Sequence, residues 1–97
     1  MMYRMRITDG AWTEMLDAKQ WYESQQSGVG ERFENAIIRT FALVLERPMM
    51  YPFDDEFDAR RAVVKDFPYI VLYRVAGNEV WIVAVFDGRQ RGPQWRP

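Results

Sequence analysis

Hydrophobic residues alternate with polar residues at the start of the chain and then recur at a helical spacing. Between residues 3 and 8, every second position is Tyr, Met or Ile, which predicts a short β-strand. Asp9 is the candidate N-cap of the following helix, with Thr8 as the alternative. The helix is expected to end near Gln26. Its apolar face comprises Ala11, Met15, Ala18 and Tyr22.

A second helical pattern follows a turn that contains Gly28 and Gly30, which suit a tight reversal of the chain. The second helix is predicted to begin at Glu31 and to stop before Pro48, because proline disfavours helical geometry in the residue that precedes it. Its apolar stripe comprises Phe33, Ile37, Phe41 and Val44. Two helices joined by so short a turn predict an αα-hairpin.

The second half of the chain has the pattern of an antiparallel meander. The predicted strands are residues 60–65, 69–75 and 80–86. Gly77 and Asn78 suit the hairpin turn between the last two. The last strand is almost continuously apolar, which predicts a central strand covered on both faces. An irregular acidic connection (48–58) precedes the meander, and a polar tail (87–97) follows it.

These elements predict an α+β fold in which an N-terminal strand and the three-strand antiparallel meander form one twisted sheet, with the αα-hairpin packed on one face. The chain of 97 residues is expected to be a single domain spanning residues 1–97. The turn predicts that Ala76 pairs with Glu79 and Val75 with Val80.

A regular ladder extended from this turn divides the apolar residues between two faces. It predicts one face of Ile70, Leu72, Arg74, Trp81, Val83, Val85 and Asp87, and an opposite face of Tyr69, Val71, Tyr73, Ile82, Ala84 and Phe86. The helical hairpin can cover only one of these faces. The other would expose a large apolar surface unless a partner or the chain's own tail covers it.

Composition removes several classes of function. The chain has no cysteine and no histidine, so disulfides, thiolate metal sites and the usual nucleophile–base pairs are excluded, and neither a metal site nor a cofactor is expected. No apolar run is long enough for a membrane span or a signal peptide, which predicts a cytoplasmic protein. The net charge of −1 provides no overall basic field for nucleic acid.

Several local strings, in their order, resemble the RelE/ParE superfamily of bacterial toxins from type II toxin–antitoxin modules, and in particular its ParE-like branch. The resemblance covers essentially the whole chain. The strings are Trp21-Tyr22-Glu23, Gly28-Val29-Gly30-Glu31-Arg32-Phe33, Leu45-Glu46-Arg47-Pro48, Arg60-Arg61, Phe67-Pro68-Tyr69, Tyr73-Arg74-Val75, Ala84-Val85 and Arg91-Gly92-Pro93-Gln94-Trp95.

The resemblance implies a toxin that a cognate antitoxin neutralises, by laying a helix or an extended segment over the apolar face and the sheet edge. ParE-like members resemble inhibitors of DNA gyrase and are not thought to be catalytic, whereas RelE-like members cut mRNA on the ribosome. Two positions depart from the relatives: Ile70 stands where RNA-cleaving members often carry arginine, and Asp87 stands where many relatives carry histidine. The ParE-like function is therefore expected. The alternatives are a RelE-like endonuclease and a non-toxic relative that only binds an antitoxin-like partner; a homodimer is left open.

The candidate site residues are mainly arginines. Residues expected to bind a partner are Arg60, Arg61, Lys65, Arg74, Arg89, Arg91 and Trp95. Arg74 is expected to pair with an acid of the 54–58 run or to contact the antitoxin. If the chain were a ribonuclease, the candidates would be Arg61 and Arg74 for charge stabilisation and Asp87 for proton transfer. The simpler role for Asp87 is a turn with Gly88.

Overall fold

A computed structural model describes residues 2–89. The elements are β1 (Arg4–Ile7), α1 (Asp9–Gln25), α2 (Val29–Glu46), β2 (Phe53–Asp54), β3 (Ala59–Val63), β4 (Tyr69–Ala76) and β5 (Glu79–Asp87). All five strands form one mixed sheet in the order β1-β5-β4-β3-β2. The α+β fold is thus confirmed. The 48–58 connection, predicted to be irregular, contributes the additional two-residue strand β2.

The strand β5 lies inside the sheet, as its apolar run predicted. It pairs in parallel with β1 and antiparallel with β4. The parallel pairing requires a crossover between β1 and β5, and the helical hairpin begins that crossover. Within residues 2–89, neither helix is long and apolar enough to span a membrane.

Specific hydrogen bonds cap the N-terminus of each helix. Thr8, the alternative N-cap, is the residue used, because its Oγ1 accepts the N–H of Ala11 at 3.2 Å. The α2 helix begins at Val29, two residues earlier than predicted. Gly28 precedes it with a φ of 90°, and the Glu23 carboxylate accepts the N–H groups of Gly28 and Gly30 at 3.0–3.1 Å. A side chain of α1 therefore supplies the cap that α2 lacks.

The main core lies between the helices and one face of the sheet. Its fully buried members include Phe33 and Ile37 from α2 and Tyr73 and Ile82 from the sheet. Phe33 is the centre of an aromatic cluster, with ring centroids 4.9–5.3 Å from those of three neighbours. These neighbours are Tyr22, Phe67 and Tyr69. The predicted apolar stripes of both helices therefore face the sheet.

A bulge in β5 corrects the predicted division of faces. The pairs next to the turn are as predicted, but Tyr73 pairs with Ile82 while Leu72 pairs with Ala84, so Val83 is an extra residue. Every β5 residue after Val83 consequently points to the face opposite to the one predicted. Ala84 and Phe86 lie on the face of Ile70 and Leu72, whereas Val85 and Asp87 lie on the face of Val71 and Tyr69.

Part of the second face of the sheet is also buried. Phe57, from the 48–58 connection, packs there with Ile70, Leu72 and Phe86, and none of these four side chains is more than 9% exposed. The chain itself therefore covers this part of the face, whereas Val63 and Arg74 on the same face are exposed.

Glu14 of α1 contacts β5 beyond the end of β1. Its Oε1 accepts the N–H of Val85 at 2.9 Å. Burial raises the pKa of the Glu14 carboxyl, and the hydrogen bond from Val85 opposes that effect in part. The side chain thus serves as a hydrogen-bond acceptor for β5 where no β1 residue is available to pair.

Replacing Glu14 with glutamine is expected to make the stability of the protein less dependent on pH. A carboxyl group whose pKa is higher in the folded than in the unfolded state contributes stability below the unfolded-state pKa. This contribution is lost as pH rises through the folded-state pKa. The amide oxygen of the glutamine remains an acceptor for the Val85 N–H without this loss. Urea unfolding should therefore show Glu14→Gln gaining on the parent at neutral pH, with the gain shrinking as the medium is acidified.

Asp87→Asn provides the comparison of opposite sign, because Arg89 lowers the pKa of Asp87 through a side-chain hydrogen bond. Its contribution is present above the unfolded pKa and is lost as pH falls through the folded pKa. Asp87→Asn should therefore be less stable than the parent at neutral pH, and the difference should shrink as pH falls. Parallel pH profiles of Glu14→Gln and the parent would contradict the role given to burial.

Candidate functional site

The 48–58 connection crosses from the end of α2 to the start of β3, and Tyr73 holds its first residue. The Tyr73 hydroxyl donates to the carbonyl oxygen of buried Pro48 at 2.6 Å. Burial raises the pKa of Tyr73 to about 12, against the opposing charge of the Arg60 guanidinium. The phenol therefore stays protonated and remains a donor near neutral pH.

Arg60 holds the next part of the connection. Its Nη1 donates to the carbonyl oxygens of Met49 at 3.1 Å and Tyr51 at 2.6 Å. The guanidinium carbon also lies 5.9 Å from the centroid of the Phe53 ring, within cation–π range. One arginine thus satisfies two backbone acceptors and positions an aromatic ring.

Two further arginines hold the remainder of the connection. Arg61 Nη1 donates to Asp54 Oδ2 at 3.2 Å, an ion pair of β3 with β2. Arg74 donates from Nε to the carbonyl oxygen of Asp58 at 2.8 Å and from Nη2 to that of Phe57 at 3.1 Å. Arg74 therefore contacts the 54–58 run through backbone oxygens, and not through the acidic side chain with which it was predicted to pair.

The connection presents three apolar side chains to solvent, which we call the apolar platform: Met49, Met50 and Phe53. They are 58%, 62% and 51% exposed, respectively. A groove of about 280 Å³ lies beside them; its lining includes Met49, Phe53, Arg60, Arg74 and Val75. Large apolar side chains on an ordered segment, next to arginines, are typical of a protein-binding surface.

Asp87 and Arg89 lie at the other end of the sheet. The Arg89 guanidinium donates to both Asp87 carboxylate oxygens, at distances of 2.6–3.2 Å, and lowers the Asp87 pKa. Asp87 Oδ1 also accepts the Arg89 N–H at 2.9 Å, which is the turn role predicted for it. Burial and the Asp87 charge raise the pKa of Tyr22 and Tyr69, whose hydroxyls stay protonated.

The three ribonuclease candidates do not converge. Arg61 and Arg74 hold the 48–58 connection, whereas Asp87 pairs with Tyr69 at the opposite end of β4. Tyr69 and Arg74 are five positions apart on that strand, which corresponds to roughly 16 Å. The pKa of Asp87 is lowered, and is therefore further from the near-neutral value that suits a general acid or base.

The partner-binding candidates separate in the same way. Arg60 and Arg74 line the groove, and Arg61 is paired with Asp54. Lys65 is exposed after β3, and Arg89 is bound to Asp87. Arg91 and Trp95 lie outside the described residues. Among residues 2–89, no group of three or more carboxylates is arranged to hold a metal ion.

Sequence reasoning did not identify the apolar platform. The available signal was Met49-Met50 and Phe53 in a segment with Pro48 and Pro52, where no helical or strand period explains apolar residues. Their exposure depends on carbonyl contacts to arginines 9–17 residues away in the chain. Such contacts leave no periodic pattern in the sequence.

Comparison with known proteins gives the fold a class and then a family. The fold is RelE/ParE-like: a solved structure described as the chromosomal ParDE TA system from P. aeruginosa matches it with a TM-score of 0.67. That match has 17% sequence identity and covers 89% of this chain and 96% of the other. The family model of the ParE toxin of type II toxin–antitoxin systems, parDE, matches residues 5–92. The chain belongs to this family, and no curated protein sequence matches it significantly.

Family membership makes the chain a ParE toxin of a type II toxin–antitoxin system, and a cognate ParD antitoxin is the partner that this implies. The resemblance based on the local strings is thus confirmed at the level of the family. The role of the arginines in binding a partner stays a prediction.

Proposed function

We propose that this toxin acts in the cytoplasm by binding DNA gyrase, without chemistry of its own, and that its antitoxin neutralises it by occupying the toxin surface. The observation that carries this proposal is the apolar platform, which lies on the connection that Arg60 and Arg74 hold. A surface whose polar atoms are already satisfied can desolvate its apolar side chains at low cost, as a protein-binding site requires. The choice of gyrase over other protein targets rests on the resemblance to ParE-like toxins, which are similar to inhibitors of DNA gyrase.

The alternative function, ribosome-dependent cleavage of mRNA, needs a convergent set of charge-stabilising and proton-transfer groups. Asp87 lies at the far end of β4 from Arg74, and both Arg61 and Arg74 are bound to the 48–58 connection. The geometry of the described residues therefore favours binding over cleavage. The third possibility, a non-toxic relative, predicts that expression of the chain without its antitoxin leaves growth unchanged.

The deciding experiment measures gyrase supercoiling and ribosome-dependent mRNA cleavage with one preparation of the purified chain. Inhibited supercoiling with intact mRNA is expected. Cleaved mRNA with normal supercoiling, lost on replacing Arg61, Arg74 or Asp87 by alanine in a folded protein, would establish the endonuclease instead. Activity in neither assay, together with normal growth on expression, would establish the non-toxic relative.

Acidic substitution on the apolar platform is expected to abolish inhibition of gyrase. The double variant Met50→Asp with Phe53→Asp places charge where apolar contact is proposed. A buried apolar anchor contributes about 2 kcal/mol or more to binding, which is roughly thirtyfold in affinity. The inhibitory concentration should rise by at least that factor, while circular dichroism remains that of the parent.

Ile38→Asp is the matched control, because Ile38 is as exposed as the platform residues but lies on α2. Its inhibitory concentration is expected to stay within about twofold of the parent's, since surface substitutions away from an interface change little. Equal losses in the control and the platform variant, or full inhibition by the platform variant, would exclude the platform as the gyrase contact.

A further inference from the structure

The methionines of the described residues differ widely in their exposure to solvent. Met15 lies in the core and is 6% exposed, whereas Met49 and Met50 of the apolar platform are 58% and 62% exposed. Oxidation adds one oxygen to the thioether sulfur of methionine and converts a flexible apolar side chain into a polar one. An oxidant therefore reaches the platform without first opening the core.

Two guanidinium groups distinguish the surroundings of Met49 from those of Met50. Met49 lines the groove of about 280 Å³ together with Arg60 and Arg74, whereas Met50 is not part of that lining. Arg60 donates to two backbone carbonyl oxygens of the connection through Nη1 alone. Among the described residues, nothing accepts a hydrogen bond from its Nε or Nη2. The groove therefore places cationic donors beside Met49.

We propose that Met49 is a site of reversible oxidation by hydroperoxides, and that this oxidation switches off the apolar platform. The sulfur lone pair attacks one oxygen of hydrogen peroxide, so that an S–O bond forms as the O–O bond breaks. The proton of the transferred oxygen passes to the departing hydroxide, and the products are a neutral sulfoxide and water. Sulfur loses two electrons and the peroxide gains them. A dithiol, acting through a methionine sulfoxide reductase, restores the thioether and is itself converted to a disulfide with release of water.

The guanidinium groups are expected to make Met49 more reactive than its exposure indicates. Negative charge develops on the departing oxygen until the proton reaches it, and a nearby cationic donor stabilises that charge. Exposure alone predicts that Met50, at 62%, reacts at least as fast as Met49, at 58%. The groove predicts the reverse order, with Met49 faster by about threefold or more, since a partly exposed charge has a modest effect.

The sulfoxide changes the platform without changing the connection that carries it. Its S–O bond is strongly dipolar, so the side chain is no longer desolvated at low cost. The hydrogen bonds that hold this part of the connection end on the backbone oxygens of Pro48, Met49 and Tyr51, which oxidation leaves intact. The fold should therefore persist while the apolar contact is lost. This loss of contact rests on the proposed function, whereas the oxidation itself does not.

The first measurement follows oxidation of the full chain by hydrogen peroxide, with peptide mass spectrometry locating each added oxygen. Met49 is expected to gain oxygen faster than Met50, and Met15 only when the chain is unfolded in urea. The oxidised protein should keep the circular dichroism of the parent. A methionine sulfoxide reductase with dithiothreitol should then remove the oxygen from Met49. Gyrase takes no part in this measurement, so it tests the site independently of the proposed function.

Replacement of Arg60 separates the effect of charge from that of exposure. Arg60→Gln removes the charge and should bring the rates at Met49 and Met50 to within about twofold of each other, whereas Arg60→Lys keeps a cation and should preserve the faster reaction at Met49. Arg4→Gln removes an exposed charge from β1, at the opposite edge of the sheet, and should leave the ratio of the two rates unchanged.

The second measurement compares inhibition of gyrase before and after oxidation of the chain, with the peroxide destroyed by catalase before gyrase is added. Oxidation is expected to raise the inhibitory concentration by about tenfold or more, as loss of an interface anchor does, and the reductase should reverse the change. The double variant Met49→Leu with Met50→Leu has no sulfur on the platform. Its inhibitory concentration after peroxide treatment should equal its own value before treatment.

Three results would overturn the proposal: equal or faster oxidation of Met50 than of Met49 in the parent, a Met49 sulfoxide that the reductase does not reduce, and an oxidised chain that inhibits gyrase as well as the untreated one. If the untreated chain does not inhibit gyrase, the proposed function fails and the switch fails with it. The oxidation rates and the repair by the reductase would still decide whether Met49 is the oxidised site.

Discussion

Replacing Phe33 by alanine is expected to lower the free energy of unfolding by about 3–5 kcal/mol, the range for removal of a buried aromatic side chain. Phe33 has no solvent exposure, and its ring contacts those of Tyr22, Phe67 and Tyr69. These three rings belong to α1, the β3–β4 turn and β4, so a cavity at Phe33 weakens contacts among several elements. Urea-induced unfolding followed by circular dichroism measures the loss.

Phe53→Ala is the matched control for this substitution, since the Phe53 ring is half exposed and its residue lies in β2, at the edge of the sheet. Its expected loss is about 1 kcal/mol or less, mainly from the cation–π contact with Arg60. If the two alanine variants unfolded at the same urea concentration, Phe33 would not be the centre of the core.

Replacing Gly30 by alanine is expected to destabilise the protein by about 1–3 kcal/mol, as overpacking of a close contact does. A Cβ atom at residue 30 would lie 2.8 Å from the carbonyl oxygen of Lys19 and 2.9 Å from Cβ of Glu23. The backbone oxygen cannot move without separating α1 from α2. The substitution would also disturb the hydrogen bond from the Gly30 N–H to the Glu23 carboxylate.

Gly10→Ala, in the same helical hairpin, is expected to have the opposite effect on the stability of the protein. Nothing lies within 4 Å of the position a Cβ would take at residue 10, and the residue is in the first turn of α1. Alanine there should stabilise the protein by about 0.4–1 kcal/mol, because it restricts the unfolded chain. Thermal unfolding of the two variants should move in opposite directions; a shift of both to lower temperature would contradict the distinction between the two glycines.

Much of the fold could be predicted because its determinants are local. Gly77 and Asn78 specify the hairpin turn and hence the register of Ala76 with Glu79. The bulge at Val83 could not be predicted from the alternation of residues. Because Ala84, Val85 and Phe86 are all apolar, the sequence is equally compatible with either orientation, and one extra residue reverses the strand.

The candidate site was predictable only in part. The positions of Arg60, Arg61 and Arg74 in strands make them candidates from the sequence alone. Their partners are mostly backbone oxygens, which every residue possesses, so sequence alone could not identify them.

The way in which the 48–58 connection is held has a consequence for how such a toxin can diversify. Its shape depends on hydrogen bonds that Tyr73, Arg60 and Arg74 donate to backbone atoms, and these bonds do not involve the Met49 and Met50 side chains. Met49 and Met50 can consequently be replaced by other residues without altering the backbone conformation of the connection that presents them. Random mutagenesis should therefore give two kinds of inactive variant. In one kind the 48–58 connection loses its conformation; in the other it keeps the conformation but presents different side chains. Only the second kind can be altered further to bind a new target.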